Sequence, residues 1–283
     1  MNKKSSLPTK VFLGSLLLAV LSVAARIVLT LTSLDTAYGV YKHGDAGSVI
    51  HHAALAIFCL LLVILSLTSG KALEERGRPG SGDAVIFASC VSAFLLAASS
   101  FLSLYNIVIA HADVEIYDIL MIAFSLPAIV FFFGLIRSGK RRTPAMVFMS
   151  FFPTAWCAIY LIQVYFDSSA LITSPNRIFN QLALLAAMAA FLMESRFLLG
   201  TVKKPVYLAI ASVTPVLLLT SAVPNLVLSD RLFIGSSDNF LCYAVEAAFA
   251  LFFYARLWSF AHSTQEPDDE PAAPSEEPAP EAK

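Results

Sequence analysis

Charged residues are scarce in this sequence. Asp, Glu, Lys and Arg make up 14% of its 283 residues, whereas about a quarter is usual in a soluble globular domain. Hydrophobic residues make up 58%. These proportions argue against a water-soluble fold of this size and for a chain whose main partner is a lipid bilayer.

The signatures of a specific chemistry are also missing. The cysteines, Cys59, Cys90, Cys157 and Cys242, fall inside apolar runs and lack the paired spacing of metal or redox sites. The sequence contains no phosphate-binding glycine loop, serine nucleophile elbow or zinc-protease helix. A formal net charge of −1 offers no concentrated basic surface to nucleic acid. The sequence therefore assigns no catalytic residue, cofactor or metal, and no nucleic-acid partner is expected.

What the sequence has instead is a series of long apolar runs. A bilayer core about 30 Å thick is crossed by roughly 20 helical residues, and backbone groups in hydrocarbon must be paired within the segment itself. Eight runs have this length: Val11–Leu31, Val49–Leu67, Ala84–Tyr105, Ile116–Ile136, Ala145–Phe166, Ile178–Leu199, Val206–Leu228 and Phe240–Phe260. We predict an all-α, polytopic bundle of eight transmembrane helices within residues 1–262.

Basic residues are distributed unevenly between the alternate connections of these runs. The N-terminal segment and the even-numbered loops hold thirteen: Lys3, Lys4, Lys10, Lys71, Arg76, Arg78, Arg137, Lys140, Arg141, Arg142, Arg196, Lys203 and Lys204. The odd-numbered loops hold three, which are Lys42, Arg177 and Arg231. By the positive-inside rule, we predict a multi-pass protein of the cell membrane with both termini and the even loops in the cytoplasm. The odd loops are expected to face outward.

A cleaved signal peptide is an alternative for the first run. Lys3 and Lys4 precede an apolar stretch that ends in small residues at Ala25, which is the usual order of such a peptide. The apolar character resumes after Arg26, however, and continues to Leu34. Because this makes a full span rather than a short signal core, we expect an uncleaved first helix.

The composition changes abruptly at the end of the chain. Residues 263–283 combine five prolines with seven acidic residues and have no large apolar side chain. Such a segment does not bury enough surface to offset the entropy lost on ordering. We predict a disordered acidic, proline-rich cytoplasmic tail, either a solvated end or a docking segment for a cytoplasmic protein partner.

The eight runs also group into four helical hairpins. Ser150-x-x-Pro153 in the third hairpin is echoed by Ser212-x-x-Pro215 in the fourth. Duplicated hairpins would resemble the internal repeats of some transporters, in which the site lies between repeats. Alternating basic loops produce a similar periodicity without any duplication, so both interpretations stay open.

Two stretches carry a resemblance to known proteins. They are Leu34–Tyr41 in the first odd loop and Ser174–Phe197, which includes Ser174-Pro175-Asn176-Arg177, Gln181-Leu182-Ala183 and Glu194-Ser195-Arg196-Phe197. These stretches resemble a family of bacterial eight-helix integral membrane proteins that has no known activity. The resemblance implies an eight-helix fold in a bacterial inner membrane and implies no catalytic residues.

Polar side chains inside spans are costly in lipid, so their depth is the best sequence indicator of function. Arg26 lies five residues inside the outer end of the first run, and Glu246 lies six residues inside that of the eighth. At 1.5 Å per residue, both are roughly 8 to 9 Å below the outer boundary. We identify them as the only opposite charges at similar depth and predict that they pair if their helices touch.

Other polar residues occur at the same level and outline a polar vestibule open to the outside. They are His51, His52, Asn106, Asp118, Gln163, Asn180, Gln181, Asp238, Asn239 and Tyr243. The predicted ligand-binding set is Arg26, Glu246, Gln163, Asn180, Gln181, His51 and Asp118. The leading hypothesis is a membrane-embedded component that binds or transports a small molecule or ion. The alternatives are a purely structural polar layer and a non-catalytic sensor or assembly subunit.

Overall fold

The computed structural model describes residues 7–35, 39–42, 45–68, 73, 82–109, 115–137, 144–167, 171, 173–229 and 237–263. Within these ranges the chain forms nine helices: α1 Leu7–Thr32, α2 Ala46–Leu67, α3 Asp83–Val108, α4 Ile116–Arg137, α5 Pro144–Met149, α6 Phe152–Phe166, α7 Pro175–Leu199, α8 Lys204–Val227 and α9 Ser237–His262. Two short strands, β1 Leu34–Asp35 and β2 Val40–Tyr41, pair antiparallel. Apart from Ser263, the predicted tail lies outside the described residues.

Eight segments in this description are long and apolar enough to cross a membrane, and they coincide with the eight predicted runs. The predicted fold class, an all-α bundle of eight membrane helices, is therefore confirmed. The fifth segment is formed by α5 and α6, with Ser150 and Phe151 in a turn between them. The break precedes Pro153, which has no N–H to bond the Met149 carbonyl and whose ring disfavours a continuous helix.

The last two helices form the centre of the bundle. Within their apolar stretches, 67% of α8 and 72% of α9 is buried, against 11% of α2. α9 packs against α3, α8 and α1, while α8 also contacts α1, α2 and α7. The main core is rich in aromatic rings, including Phe132, Phe191 and Phe249. The outer helices expose large apolar side chains such as Phe94 and Phe101, as expected where the neighbour is lipid.

The two helices of each predicted hairpin contact each other: α1 and α2, α3 and α4, α6 and α7, and α8 and α9. Contacts across hairpins are equally extensive, since α7 packs on α8 and α3 packs on α9. The contacts therefore do not set the hairpins apart as separate units, and the duplication of hairpins remains a prediction.

The buried face of α1 consists largely of small and polar residues. They recur every three or four positions, which is the spacing of one helix face: Pro8, Val11, Ser15, Ala19, Ser22, Arg26 and Thr30. Small residues let two membrane helices approach closely and form hydrogen bonds between them. In this way α1 packs on α8 with its polar residues directed at the centre of the bundle.

The loop after α1 folds into the β1–β2 hairpin. Gly39 has φ +64° in the turn, a left-handed conformation that glycine adopts without a Cβ penalty. Asp45 then caps α2 by accepting a hydrogen bond from the Ser48 backbone N–H at 2.9 Å. These contacts fix the first odd loop at what we call the odd-loop end of the bundle, the end at which the odd-numbered loops lie.

Candidate functional site

Arg26 is fully buried and joins three helices. Its Nη1 donates to the carbonyl oxygens of Thr220 and Ser221 on α8, and its Nη2 donates to Asn176 Oδ1 on α7 at 2.6 Å. The guanidinium also lies over the Phe179 ring, 4.3 Å from the centroid, a favourable position for a cation on an aromatic face. Arg26 thus holds α1 against α7 and α8 near the odd-loop end.

Proline explains why an α8 carbonyl is available to Arg26. Pro224 has no N–H, so the carbonyl of Thr220, four residues earlier, lacks its usual helical donor. Arg26 supplies a donor in its place. A second contact between the two helices runs from the Ser15 hydroxyl to the carbonyl of Ser212 at 2.5 Å. Ser212 lies three residues before Pro215, so its helical donor, the Val216 N–H, is present, and the accommodation of a freed carbonyl is specific to Pro224.

Glu246 on α9 is fully buried in the same region. Among the described residues, neither of its carboxylate oxygens has a hydrogen-bond partner. Ser221 is near the carboxylate, but its hydroxyl also lacks a partner in hydrogen-bonding geometry. Asn225 donates through Nδ2 to the Ser221 carbonyl at 2.9 Å, which leaves its own Oδ1 without a partner.

The predicted direct pair between Arg26 and Glu246 is wrong. Their helices touch and the two charges interact electrostatically, but the described side chains are not in ion-pair contact. The physical reason is competition, because the carbonyl freed by Pro224 and the amide of Asn176 take the guanidinium's terminal N–H groups. The site therefore contains two opposite charges that lie near each other without neutralising each other directly.

His51 on α2 joins the network through Ser22. The Ser22 hydroxyl accepts from Thr220 Oγ1 at 3.0 Å and is 3.2 Å from His51 Nε2. With the Ser22 proton directed to Nε2, the other ring nitrogen of His51 carries the proton, and this Nδ1 has no partner. His52, the next residue, stacks on Phe179 at 5.1 Å, so both histidines contact the ring that supports Arg26.

Among the remaining predicted residues, Asn180 lies in this region, whereas Gln163 and Asp118 meet between α6 and α4. Asn180 on α7 donates to the Tyr160 hydroxyl at 3.2 Å, and its Oδ1 is buried without a partner. Gln163 and Asp118 instead contact each other at 3.4 Å, between α6 and α4. Gln181 is half-buried on α7. The side chains of Asp238 and Asn239 lie outside the described residues.

Sequence reasoning missed a second charged cluster at the opposite, even-loop end. Arg256 on α9 binds both carboxylate oxygens of Glu194 on α7, with Nη2 2.5 Å from Oε2 and Nε 3.1 Å from each oxygen. The Tyr207 hydroxyl donates to Glu194 Oε1 at 2.7 Å. The statement that Arg26 and Glu246 are the only opposite charges at similar depth is therefore wrong. Glu194 lies five residues and Arg256 six residues before their helix ends, so the same depth argument identifies them.

A groove at the odd-loop end adjoins the buried network. Its walls come from the β1–β2 hairpin, from α2 and from the residues before and within α7, and include Tyr41, Lys42, His52 and Thr173. Burial raises the pKa of Tyr41 above its ordinary value, and the nearby Arg26 guanidinium opposes this. Tyr41 is therefore a neutral hydroxyl between the groove and Arg26, and His52 connects the groove to Phe179.

Within the described ranges, no three His, Cys, Asp or Glu side chains come close enough to hold a metal ion. Comparison of the chain with protein-family models, curated proteins and solved structures gives no match. The function is therefore argued from the geometry of this chain.

Proposed function

We propose that this protein is a membrane-embedded binding or transport component with a site for a small polar ligand or ion around Arg26 and Glu246. The observation that carries this proposal is a concentration of buried polar atoms without partners. Nine such atoms occur among the described residues, and seven belong to this region: Arg26 Nε, His51 Nδ1, Asn180 Oδ1, Ser221 Oγ, Asn225 Oδ1 and both carboxylate oxygens of Glu246.

Buried polar atoms are paired in the great majority of cases, and each exception calls for an explanation. A purely structural polar layer would satisfy its own members, as the cluster of Glu194, Arg256 and Tyr207 does at the even-loop end. The site around Glu246 instead leaves donors and acceptors unused on five of the described helices. A bound ligand that pairs with these donors and acceptors accounts for the difference between the two clusters.

The proposal includes an orientation. With the termini and the even loops in the cytoplasm of a bacterial inner membrane, the groove beside Tyr41 and His52 opens outward and forms the approach to the site. The basic residues of the even loops support this orientation.

Reporter fusions test the orientation directly. We expect fusions after Lys140 and after Lys283 to report a cytoplasmic location, and a fusion within 167–175 to report an external one, because positive loops are retained inside. Paired alkaline phosphatase and fluorescent-protein reporters give opposite signals on the two sides. An external signal at Lys283 contradicts the proposed topology.

A ligand screen tests the site. The full-length protein in detergent is heated in the presence of amino acids, betaines, monocarboxylates and inorganic salts, and unfolding is followed by tryptophan fluorescence. Because a guest that binds only the folded state stabilises it, at least one class is expected to raise Tm in the wild type and to lose this effect in Glu246→Gln.

The matched control for this screen is Asp118→Asn, since Asp118 is a carboxylate in a span at the same end but contacts Gln163 instead of the Arg26 network. It is expected to keep the response of the wild type. The proposal fails if no class shifts Tm, or if Glu246→Gln and Asp118→Asn respond alike.

A further inference from the structure

Most of the unpartnered atoms of the site are oxygens rather than nitrogens. Five are oxygens, on Glu246, Ser221, Asn225 and Asn180, and two are nitrogens, on Arg26 and His51. The nitrogens are donors, whereas the carboxylate and amide oxygens are acceptors only. A ligand at this site must therefore interact mainly with acceptor oxygens, as a cation does.

Three of the oxygen-bearing residues lie on α8 and α9, which pack against each other. Ser221 and Asn225 are one helical turn apart on α8, and the bond from Asn225 Nδ2 to the Ser221 carbonyl fixes the amide so that Oδ1 is its free end. Glu246 faces this turn from α9, close to Ser221. Two carboxylate oxygens, one hydroxyl and one amide oxygen thus lie in one region. Such oxygen ligands are typical of hard cations rather than of transition metals.

Burial and charge restrict the cation further. The side chains of Ser221, Asn225 and Glu246 are all 0% exposed, and their unpartnered oxygens are inaccessible to water, so a dehydrated ion fits better than a hydrated one or an organic molecule. A single carboxylate is present, and the Arg26 guanidinium lies near enough to interact with it. This charge balance tolerates one positive charge better than two.

We infer that Glu246, Ser221 and Asn225 bind a monovalent alkali metal ion between α8 and α9. This inference rests on the proposed function and specifies its ligand. Arg26 donates a hydrogen bond to the Thr220 carbonyl that Pro224 frees. The carboxylate of Glu246 is therefore available to bind the ion. The ion then compensates a buried charge that has no direct partner among the described residues.

Thermal unfolding of the full-length protein in detergent tests the inference. NaCl, KCl and LiCl are each titrated against N-methylglucamine chloride at constant ionic strength and pH, with CaCl2 as a divalent arm. We expect one alkali chloride to raise Tm saturably, by about 5 °C at one hundred times its Kd. Ser221→Ala should need an about tenfold higher concentration of that cation, since it loses one oxygen ligand.

Ser221→Ala removes one oxygen of the proposed site and keeps the backbone carbonyl that positions Asn225. Ser89→Ala is its matched control, since Ser89 on α3 also has a fully buried hydroxyl without a partner. We expect Ser89→Ala to leave the cation response unchanged, and Glu246→Gln to abolish it.

Several results overturn the inference: a wild type that does not respond to any alkali chloride, an unchanged response in Ser221→Ala, or a stronger response to CaCl2 than to the alkali salts. The ligand screen separates these failures from that of the proposed function. If an organic solute still stabilises the protein in a Glu246-dependent way, only the alkali ion is wrong. If neither solutes nor salts stabilise it, both proposals are wrong.

Discussion

Glu194→Leu is expected to destabilise the protein by about 3–5 kcal/mol, because it leaves the Arg256 guanidinium buried without its carboxylate. Arg256→Met should cost a similar amount, because it leaves the Glu194 carboxylate buried without its guanidinium partner. Replacing both residues should recover much of the loss, since no charge is then stranded and apolar side chains suit this environment.

Unfolding by SDS in mixed micelles measures this double-mutant cycle. The coupling between the two sites is expected to exceed the 0.3–0.5 kcal/mol that independent positions show. Glu246→Leu provides the matched control, because Glu246 is an equally buried carboxylate that accepts no hydrogen bond from the described residues. It should cost no more than about 1 kcal/mol, since no made hydrogen bond is lost. Equal losses for Glu194→Leu and Glu246→Leu would contradict the difference between the two ends of the bundle.

Arg26→Met is expected to cost about 2–5 kcal/mol, because it leaves the Thr220 carbonyl and Asn176 Oδ1 without their donors, at about 1–3 kcal/mol each. The loss can be measured by the same SDS titration.

Pro224→Ala offers a specific rescue of this variant. Alanine restores a backbone N–H four residues after Thr220, so α8 itself can satisfy the carbonyl that Arg26 otherwise binds. We expect Arg26→Met with Pro224→Ala to regain part of the stability. The control is Arg26→Met with Pro215→Ala, because the carbonyl that Pro215 frees is that of Ala211, whereas the hydrogen bonds of Arg26 go to Thr220, Ser221 and Asn176. Equal rescue by both prolines would show that Arg26 does not act through Thr220.

The eight spans were predictable because transfer of a helix into lipid depends on length and composition, which are local properties of the sequence. Depth along a helix is local too. For this reason the sequence groups Arg26, Glu246, Asn180 and His51 at one level, and in the structure Thr220 and Ser22 link Arg26 to His51. That they bind a ligand remains a prediction.

Angular position and partner choice were not predictable in the same way. Depth alone does not separate Gln163 and Asp118, which meet between α6 and α4, from Asn180 on the neighbouring α7. The choice of Arg26 between Glu246 and the Thr220 carbonyl depends on which helices touch and on one missing N–H at Pro224. Serine and threonine hydroxyls such as Ser22 and Ser221 are too common in apolar runs to stand out before the helices are packed.

The central position of α8 and α9 has a consequence for biosynthesis. Ribosomes deliver helices to the membrane in sequence order, so these two helices enter after the other six spans although they form the middle of the bundle. Until then α1 has no α8 to receive Ser15 and Arg26, and α3 has no α9 to pack against. The third to sixth spans can pack on one another through α3–α4, α4–α6 and α6–α7 before that, whereas the polar face of α1 stays unassembled until α8 arrives.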